Sequence, residues 1–253
     1  MSLPFSLDRR ITIQAPRETV FSFFTDTVRW ASWWGAGSTI EPRVGGRVYI
    51  RHPGNVESSG EVIDIQPPER FVFSYGFDAG KPFPPGASRV TISLEPSGDA
   101  TALALHHEFP DAAARDEHVQ GWRFQLSLFA NAVSNLVHAG AAATVDAWFD
   151  LWTQTDEAAR LATLGRIAAA DVAFRDRYSL IDGTAELSAH IAAAQRFMPG
   201  VAMQRRGDVR QCQGLAIADW TATGPDRAPR GQGSNVFQLA PDGRITAVTG
   251  FWG

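Results

Sequence analysis

Residues 168–179 read Ala-Ala-Ala-Asp-Val-Ala-Phe-Arg-Asp-Arg-Tyr-Ser. In a strand, side chains alternate between faces, so Val172, Phe174 and Asp176 share one face while Asp171, Ala173 and Arg175 share the other. Asp176 therefore points where two apolar side chains point. A carboxylate turned toward an apolar interior is costly unless it is paired or used, which makes Asp176 the first candidate for chemistry. Burial raises a carboxyl pKa unless a cation offsets it. A carboxylate tuned upward suits proton transfer between carbon and oxygen near neutral pH. The alternative is a structural ion pair with an arginine such as Arg205. His190 stands one helical turn from Leu187 and Ala194, on an apolar face. It either works with Asp176 as an acid–base pair or stabilises the fold through a backbone hydrogen bond. Asp219 shares parity with Leu215 and Ile217 and is a second candidate pocket carboxylate.

A second group of candidates would bind rather than react. Phe71, Phe73, Tyr75 and Phe77 share one face of a strand pattern. Trp122 and Phe129 lie on a long helical stripe that could cover them. Together these side chains could wall an apolar cup, or fill a solid core. Trp30, Trp33 and Trp34 could stack on an aromatic ligand or plug the space between helix and sheet. His106-His107-Glu108 does not form a chelate, because adjacent strand residues face opposite ways. His107 aligns with Leu103 and Leu105, as a cavity-wall residue or as a hydrogen-bonded core histidine. There is no His-Glu-x-x-His, no cysteine pair, no phosphate-cradling loop, no dinucleotide fingerprint and no Gly-x-Ser-x-Gly elbow.

The composition narrows the class further. The chain has 253 residues, 44% hydrophobic and 20% charged, with a net charge of −4. Those values fit a globular protein of one large or two ordinary domains and give no electrostatic case for nucleic acid or an anionic membrane. Eight Trp and sixteen Phe must be buried or must line something. Cys212 is the single cysteine, so no intrachain disulfide can form. No charged n-region precedes an apolar run at the start, and no run of ~20 apolar residues occurs. The expected location is cytoplasmic.

These residues need elements to hold them. Ile11 and Ile13 mark a strand at Arg10 to Gln14. Pro16 and Glu18 open a helix on which Val20, Phe21, Phe24 and Val28 recur at helical spacing. Strands follow, punctuated by Gly45-Gly46, Pro53-Gly54, Pro67-Pro68 and Ser97-Gly98. A long helix carries Val119, Trp122, Leu126, Phe129, Val133 and Leu136. Ala139 to Ala143 then read Ala-Gly-Ala-Ala-Ala, which places a domain boundary between 1–140 and 141–253. The second half opens with a helix presenting Val145, Trp148, Phe149 and Trp152. Asp156 can cap the next helix, with Leu161, Leu164 and Ala168. The Asp176 strand, the His190 helix (ending near Met198) and three or four closing strands complete it.

Three motifs in the first half, Ile-Thr-Ile-Gln-Ala-Pro-Arg-Glu-Thr-Val-Phe at 11–21, Val-Arg-Trp-Ala-Ser-Trp-Trp-Gly at 28–35 and Gly121-Trp122, carry a resemblance. On them, residues 8–138 resemble the START-like helix-grip superfamily, most closely homologues of the heat-shock-protein ATPase activator. That resemblance implies a sheet curled around a long C-terminal helix with an apolar cavity between. It implies ligand binding, and co-chaperone activity as an alternative. Residues 144–253 resemble the nuclear transport factor 2-like superfamily, including SnoaL-like cyclases and ketosteroid isomerases. The likeness lies in Asp171-Val-Ala-Phe-Arg-Asp176, Glu186-Leu-Ser-Ala-His190, Asp242-Gly-Arg-Ile and Gly250-Phe-Trp. It implies a cone in which helices close a curled sheet. Asp176 falls where the isomerases keep a proton-shuttling carboxylate. Trp148 falls where they place an oxyanion-binding tyrosine, and Asn235 where they place a neutral carboxylic acid. Both departures leave only weaker hydrogen-bond donors at those positions.

The expectation is therefore an α+β protein of two domains, an N-terminal helix-grip and a C-terminal cone. It binds hydrophobic or aromatic small molecules, with isomerase- or cyclase-type proton transfer in the second domain as the catalytic option. The alternatives are a chaperone-associated stress-response protein and a binding module without catalysis. No cofactor, metal, nucleic acid or membrane partner is expected. A homodimer and a chaperone partner stay open.

Overall fold

The alternating segments of the first half pair into one antiparallel sheet. Its strands are β1 (Phe5–Ile13), β2 (Thr39–Ile40), β3 (Arg47–Arg51), β4 (Glu57–Gln66), β5 (Arg70–Tyr75), β6 (Ser88–Ser97) and β7 (Ala100–Phe109). They lie side by side in the order β1-β7-β6-β5-β4-β3-β2. Period-two patterning decides which face is covered: Leu103, Leu105, His107 and Phe109 of β7 are all buried, as are Val90, Ile92 and Leu94 of β6.

One helical pattern was expected after Pro16; the computed structural model, which describes residues 3–253, shows two helices there. They are α1 (Arg17–Ser22) and α2 (Thr27–Trp34). The break falls at Asp26, whose side chain caps α2 by accepting the Arg29 N–H at 2.9 Å. Restarting the helix resets its phase. Trp30, Trp33 and Trp34, spaced three and four apart, take the buried face, and Val28 is left 80% exposed.

The long helix α3 (Ala112–Val137) lies on the same face of the sheet and buries Trp122, Leu126, Phe129 and Val133 as expected. Leu136 is exposed instead, and Gln125 joins the buried face. The core between helix and sheet is aromatic. Phe24 stacks on Phe71 and Phe129 with centroids 5.5 and 5.1 Å apart, and Trp30 meets Phe73 edge-on at 5.9 Å.

The chain divides into two compact units at Ser134/Asn135, inside the last turn of α3. The second unit holds α4 (Ala141–Asp150), α5 (Glu157–Ile167), β8 (Ala168–Asp176), β9 (Ser179–Asp182) and α6 (Thr184–Phe197). Strands β10 (Ala202–Cys212), β11 (Leu215–Thr223), β12 (Pro229–Leu239) and β13 (Ile245–Trp252) follow. The sheet order is β10-β11-β12-β13-β8-β9, antiparallel except where β13 meets β8. Asp156 caps α5 through the Ala159 N–H at 2.7 Å. Val145, Trp148, Phe149, Val172, Phe174, Ile191, Trp220 and Phe237 fill the core between helices and sheet. Leu161 and Met198 are exposed. The architecture is α+β with one sheet per unit. No single helix among the described residues is long and apolar enough to cross a membrane.

Candidate functional site

A cavity of about 370 Å³ opens at one end of the first unit's aromatic core. Helix α3 supplies His118, Gly121, Trp122 and Gln125, which fall on one helical face at spacings of three and four. Trp34 closes the wall from the end of α2. Tyr75 and Phe77 line it from the end of β5, and His52 with Pro53 from the turn after β3. A Cβ on Gly76 would lie 1.9 Å from the Pro84 carbonyl oxygen, so only glycine admits the neighbouring loop. That approach seats Phe83 against Tyr75 and Phe77, at 6.1 and 5.6 Å between centroids.

The polar groups gather at one side. The Tyr75 hydroxyl lies 3.2 Å from Ser58 Oγ and 3.3 Å from His52 Nε2, and those two are 3.1 Å apart. The neutral triangle carries one polar hydrogen per residue, and Nε2 can donate or accept but not both. At most two of the three contacts are hydrogen bonds at once; with the His52 proton on Nε2 one hydroxyl hydrogen is left unspent, and with it on Nδ1 both hydroxyls are spent inside the triangle. Burial pushes the Tyr75 hydroxyl up to about 12 and lowers His52.

His118 faces the same space in a fixed tautomer. Its Nδ1 is 2.7 Å from the Ala114 carbonyl oxygen, which can only accept, so Nδ1 carries the proton. Nε2 of the neutral ring is then a bare lone pair, and no described residue donates to it. Burial lowers His118 as well. Among the described residues no arginine or lysine lines the cavity, and Glu117, at the rim, is the one lining carboxylate. Gln125 donates to the Trp33 carbonyl, and the indole N–H groups of Trp33 and Trp34 are buried without an acceptor.

Of the residues expected to wall this cup, Tyr75, Phe77 and Trp122 do so. Phe71, Phe73 and Phe129 do not: they lie deeper along β5 and α3, where Phe24 and Trp30 pack over them as solid core. His107 is not in the wall either. It is fully buried, with Trp122 Nε1 donating to Nδ1 at 2.8 Å and Ser88 Oγ 2.9 Å from Nε2, which is the core-histidine reading. Trp30 and Trp33 plug the core, whereas Trp34 reaches the cavity. Sequence reasoning missed His52, Ser58 and His118. The available signal was His118 standing four residues before Trp122 on one helix face.

In the second unit Asp176 ends β8 half-buried. Its carboxylate accepts the Tyr178 N–H at 2.8 Å and the Trp252 indole N–H at 3.0 Å. Arg205 is not its partner, since that guanidinium pairs with Asp146 at 2.7 and 3.0 Å. Its neighbour in space is Asn235, which accepts the Trp220 indole N–H at 3.0 Å. A Cβ on Gly250 would lie 3.2 Å from both Asp176 Cβ and Asn235 Oδ1. Trp220 and Trp252 meet edge-on at 5.0 Å, so these four residues form one cluster. His190 is not hydrogen-bonded to Asp176. Its Nε2 lies 3.1 Å from Ser179 Oγ, and Ser179 is the β9 residue opposite Asp176. Asp219 does not face the core, because Ala216, Ala218, Trp220 and Ala222 take the buried face of β11. On the other face its carboxylate accepts the Ser234 hydroxyl at 2.5 Å. Trp148 is wholly buried between Phe174 and Phe237, and its N–H has no acceptor. No group of three or more His, Cys, Asp or Glu among the described residues is placed to hold a metal.

Residues 14–134 match the family model described as Activator of Hsp90 ATPase homolog 1-like protein. That stretch lies within the part of the sequence that resembles the helix-grip superfamily. No curated protein matches the chain. Similar solved structures include a candidate isomerase of the SnoaL-like family from Agrobacterium tumefaciens, 24% identical, covering 47% of this chain and 98% of that one, with TM-score 0.43. CalU16 from Micromonospora echinospora is 27% identical over 49% of this chain and 75% of its own, with TM-score 0.41. Protein Ms6760 from Mycobacterium smegmatis is 20% identical over 52% and 89%, with TM-score 0.44.

Proposed function

We propose that this protein binds a neutral hydrophobic or aromatic small molecule in the cavity between α3 and the sheet of the first unit. The observation that carries this reading is the lining: aromatic walls, one polar side where the Tyr75 hydroxyl and His52 Nε2 meet, and no arginine or lysine among the described lining residues. A volume of about 370 Å³ falls within the range of small-molecule pockets. Phosphates and carboxylates would enter against Glu117 with no arginine or lysine to receive them.

Gly121 provides the test. A Cβ there meets nothing within 4 Å, so Gly121→Leu can extend into the open space without touching the backbone. Leucine is also the better helix former. The full-length variant is expected to fold and to lose binding of 2-naphthol, read by quenching of indole fluorescence. Unchanged affinity would place the ligand elsewhere. A second reading, a chaperone-associated protein, is favoured by the description of the matched family. Acceleration of an Hsp90 ATPase by the protein would support it, and acceleration that survives Gly121→Leu would separate it from ligand binding.

A further inference from the structure

We propose that the cavity is also an acid–base site for neutral ketones, in which His118 Nε2 removes a proton from carbon and the Tyr75–Ser58–His52 cluster holds the carbonyl oxygen. This rests on the ligand-binding reading above and adds a reaction to it. Three features of the geometry carry the inference. First, the His118 tautomer is fixed by the Ala114 carbonyl, which leaves Nε2 as an acceptor with nothing donating to it. Second, with the His52 proton on Nε2 donating to Ser58, and Ser58 donating to Tyr75, the Tyr75 hydroxyl hydrogen is left for a ligand. Third, both imidazoles pack on the same ring: the centroids of His52 and His118 lie 6.2 and 5.9 Å from that of Phe77. A planar ligand resting against Phe77 would have a base and a donor within reach.

The step balances with no second reactant. The proton passes from the carbon beside the carbonyl to Nε2. The C–H electron pair becomes the second bond between the two carbons. The carbonyl π pair moves to oxygen, where the donor holds it. Return of a proton from Nε2 to carbon closes the cycle. Because the cavity opens to solvent, the returned proton can be one exchanged with water.

The environment narrows the substrate. Among the described lining residues no arginine or lysine is present to hold an anionic ketone such as a keto acid. Burial leaves His118 unprotonated at neutral pH but a weak base. The C–H it removes must therefore already be acidic, flanked by a carbonyl and an aromatic ring or by two carbonyls. His52 from the turn after β3, His107 from β7, Tyr75 from β5 and Glu117 on α3 are the titratable groups around it, and of these only Glu117 adds charge at neutral pH.

The test uses the full chain with 2-tetralone in heavy water, following loss of the proton signal at the aryl-flanked carbon by NMR. The protein is expected to accelerate exchange by about 10²-fold or more over an equal concentration of imidazole. His118→Gln should abolish the acceleration while 2-tetralone still quenches indole fluorescence, and Tyr75→Phe should reduce it. Imidazole added to His118→Gly should restore it. His106→Gln, on the outer face beside Asp8, should change nothing. If the His118 variants fail to fold, Gly121→Leu must abolish exchange instead. Binding of 2-tetralone without acceleration, or acceleration that survives His118→Gln, would overturn the acid–base assignment alone. Absence of binding would overturn the ligand reading and this inference together.

Discussion

Trp122 donates its indole N–H to Nδ1 of His107 at 2.8 Å, and that bond sets the protonation of the layer behind the cavity. An indole N–H can only donate, so Nδ1 must be a lone pair and the proton must sit on Nε2. Nε2–H then donates to Ser88 Oγ at 2.9 Å, and the Ser88 hydroxyl donates to the Tyr75 carbonyl oxygen at 2.8 Å. The line runs from α3 through β7 and β6 to β5 with every donor used. It holds Tyr75 and Trp122, two walls of the cavity, in fixed relation.

A neutral, buried His107 makes the fold acid-sensitive. Burial holds its pKa well below the ordinary value in the folded chain, while the unfolded chain titrates near 6.5. Below that pH the unfolded state binds the proton and the folded state does not, so stability falls as pH falls. Each such imidazole contributes a slope of about 1.4 kcal/mol per pH unit between the unfolded and folded pKa values. His52 and His118, also lowered, act in the same direction. Urea unfolding should show lower stability at pH 5.5 than at 7.5, and His107→Gln should shrink the difference. Equal stability at the two pH values would refute the neutral assignment.

Core and cavity residues should separate in their effects. Phe73 is buried among Trp30 and Phe71, so Phe73→Ala should cost about 3–5 kcal/mol. Phe124 lines the cavity mouth and is 62% exposed. Phe124→Ala should change stability by less than about 0.5 kcal/mol and weaken binding of 2-naphthol. Denaturant melts and fluorescence titrations on the same samples check both. A large stability loss at Phe124 would mean that the mouth is packed core.

Much of the fold was legible because its signals are local. The alternation of Leu103, Leu105, His107 and Phe109 named β7, and Asp156 marked the start of α5. Parity placed Phe71, Phe73 and Tyr75 on one face correctly. It could not say how far along that face Phe24 and Trp30 pack, and this decides which rings are core and which are wall. On β11 the greater apolarity of Leu215 and Ile217 suggested the inward face. The inward residues are the small Ala216 and Ala218 instead, on the side packed against the unit's helices. His52 and His118 belong to no motif. They meet only because a turn after β3 and the second turn of α3 converge on Phe77, a long-range fact that neither segment encodes alone.

The two halves should fold as separate chains, and the structure moves the best cut point. His138 Nε2 lies 2.9 Å from the Ala240 carbonyl oxygen, and its side chain is buried in the second unit. Fragments 1–137 and 138–253 should each unfold cooperatively. Fragment 141–253 should be less stable than 138–253, by about 1–3 kcal/mol for the carbonyl left without its donor. Calorimetry of the three fragments reads this directly. Failure of both longer fragments to fold would refute independent folding.

Asp176 is the residue whose place in the sequence suggests proton transfer in the second unit, and a melt of Asp176→Asn probes how it is held. Its two oxygens accept from different donors, the Tyr178 backbone and the Trp252 indole, and no described guanidinium pairs with it. An amide keeps one acceptor and turns an NH₂ group toward the other N–H. One hydrogen bond is therefore lost, at about 0.5–1.5 kcal/mol, well short of the 3–5 that follow from breaking a buried ion pair. Combining Asp176→Asn with Trp252→Phe isolates the bond, because the second change removes the donor that the first would oppose. The double variant should be more stable than the sum of the single losses predicts. Additive losses would mean that the carboxylate is not anchored by Trp252. A gain in stability from Asp176→Asn alone would mark a carboxylate held against its preference, as expected of a group kept for chemistry rather than for the fold.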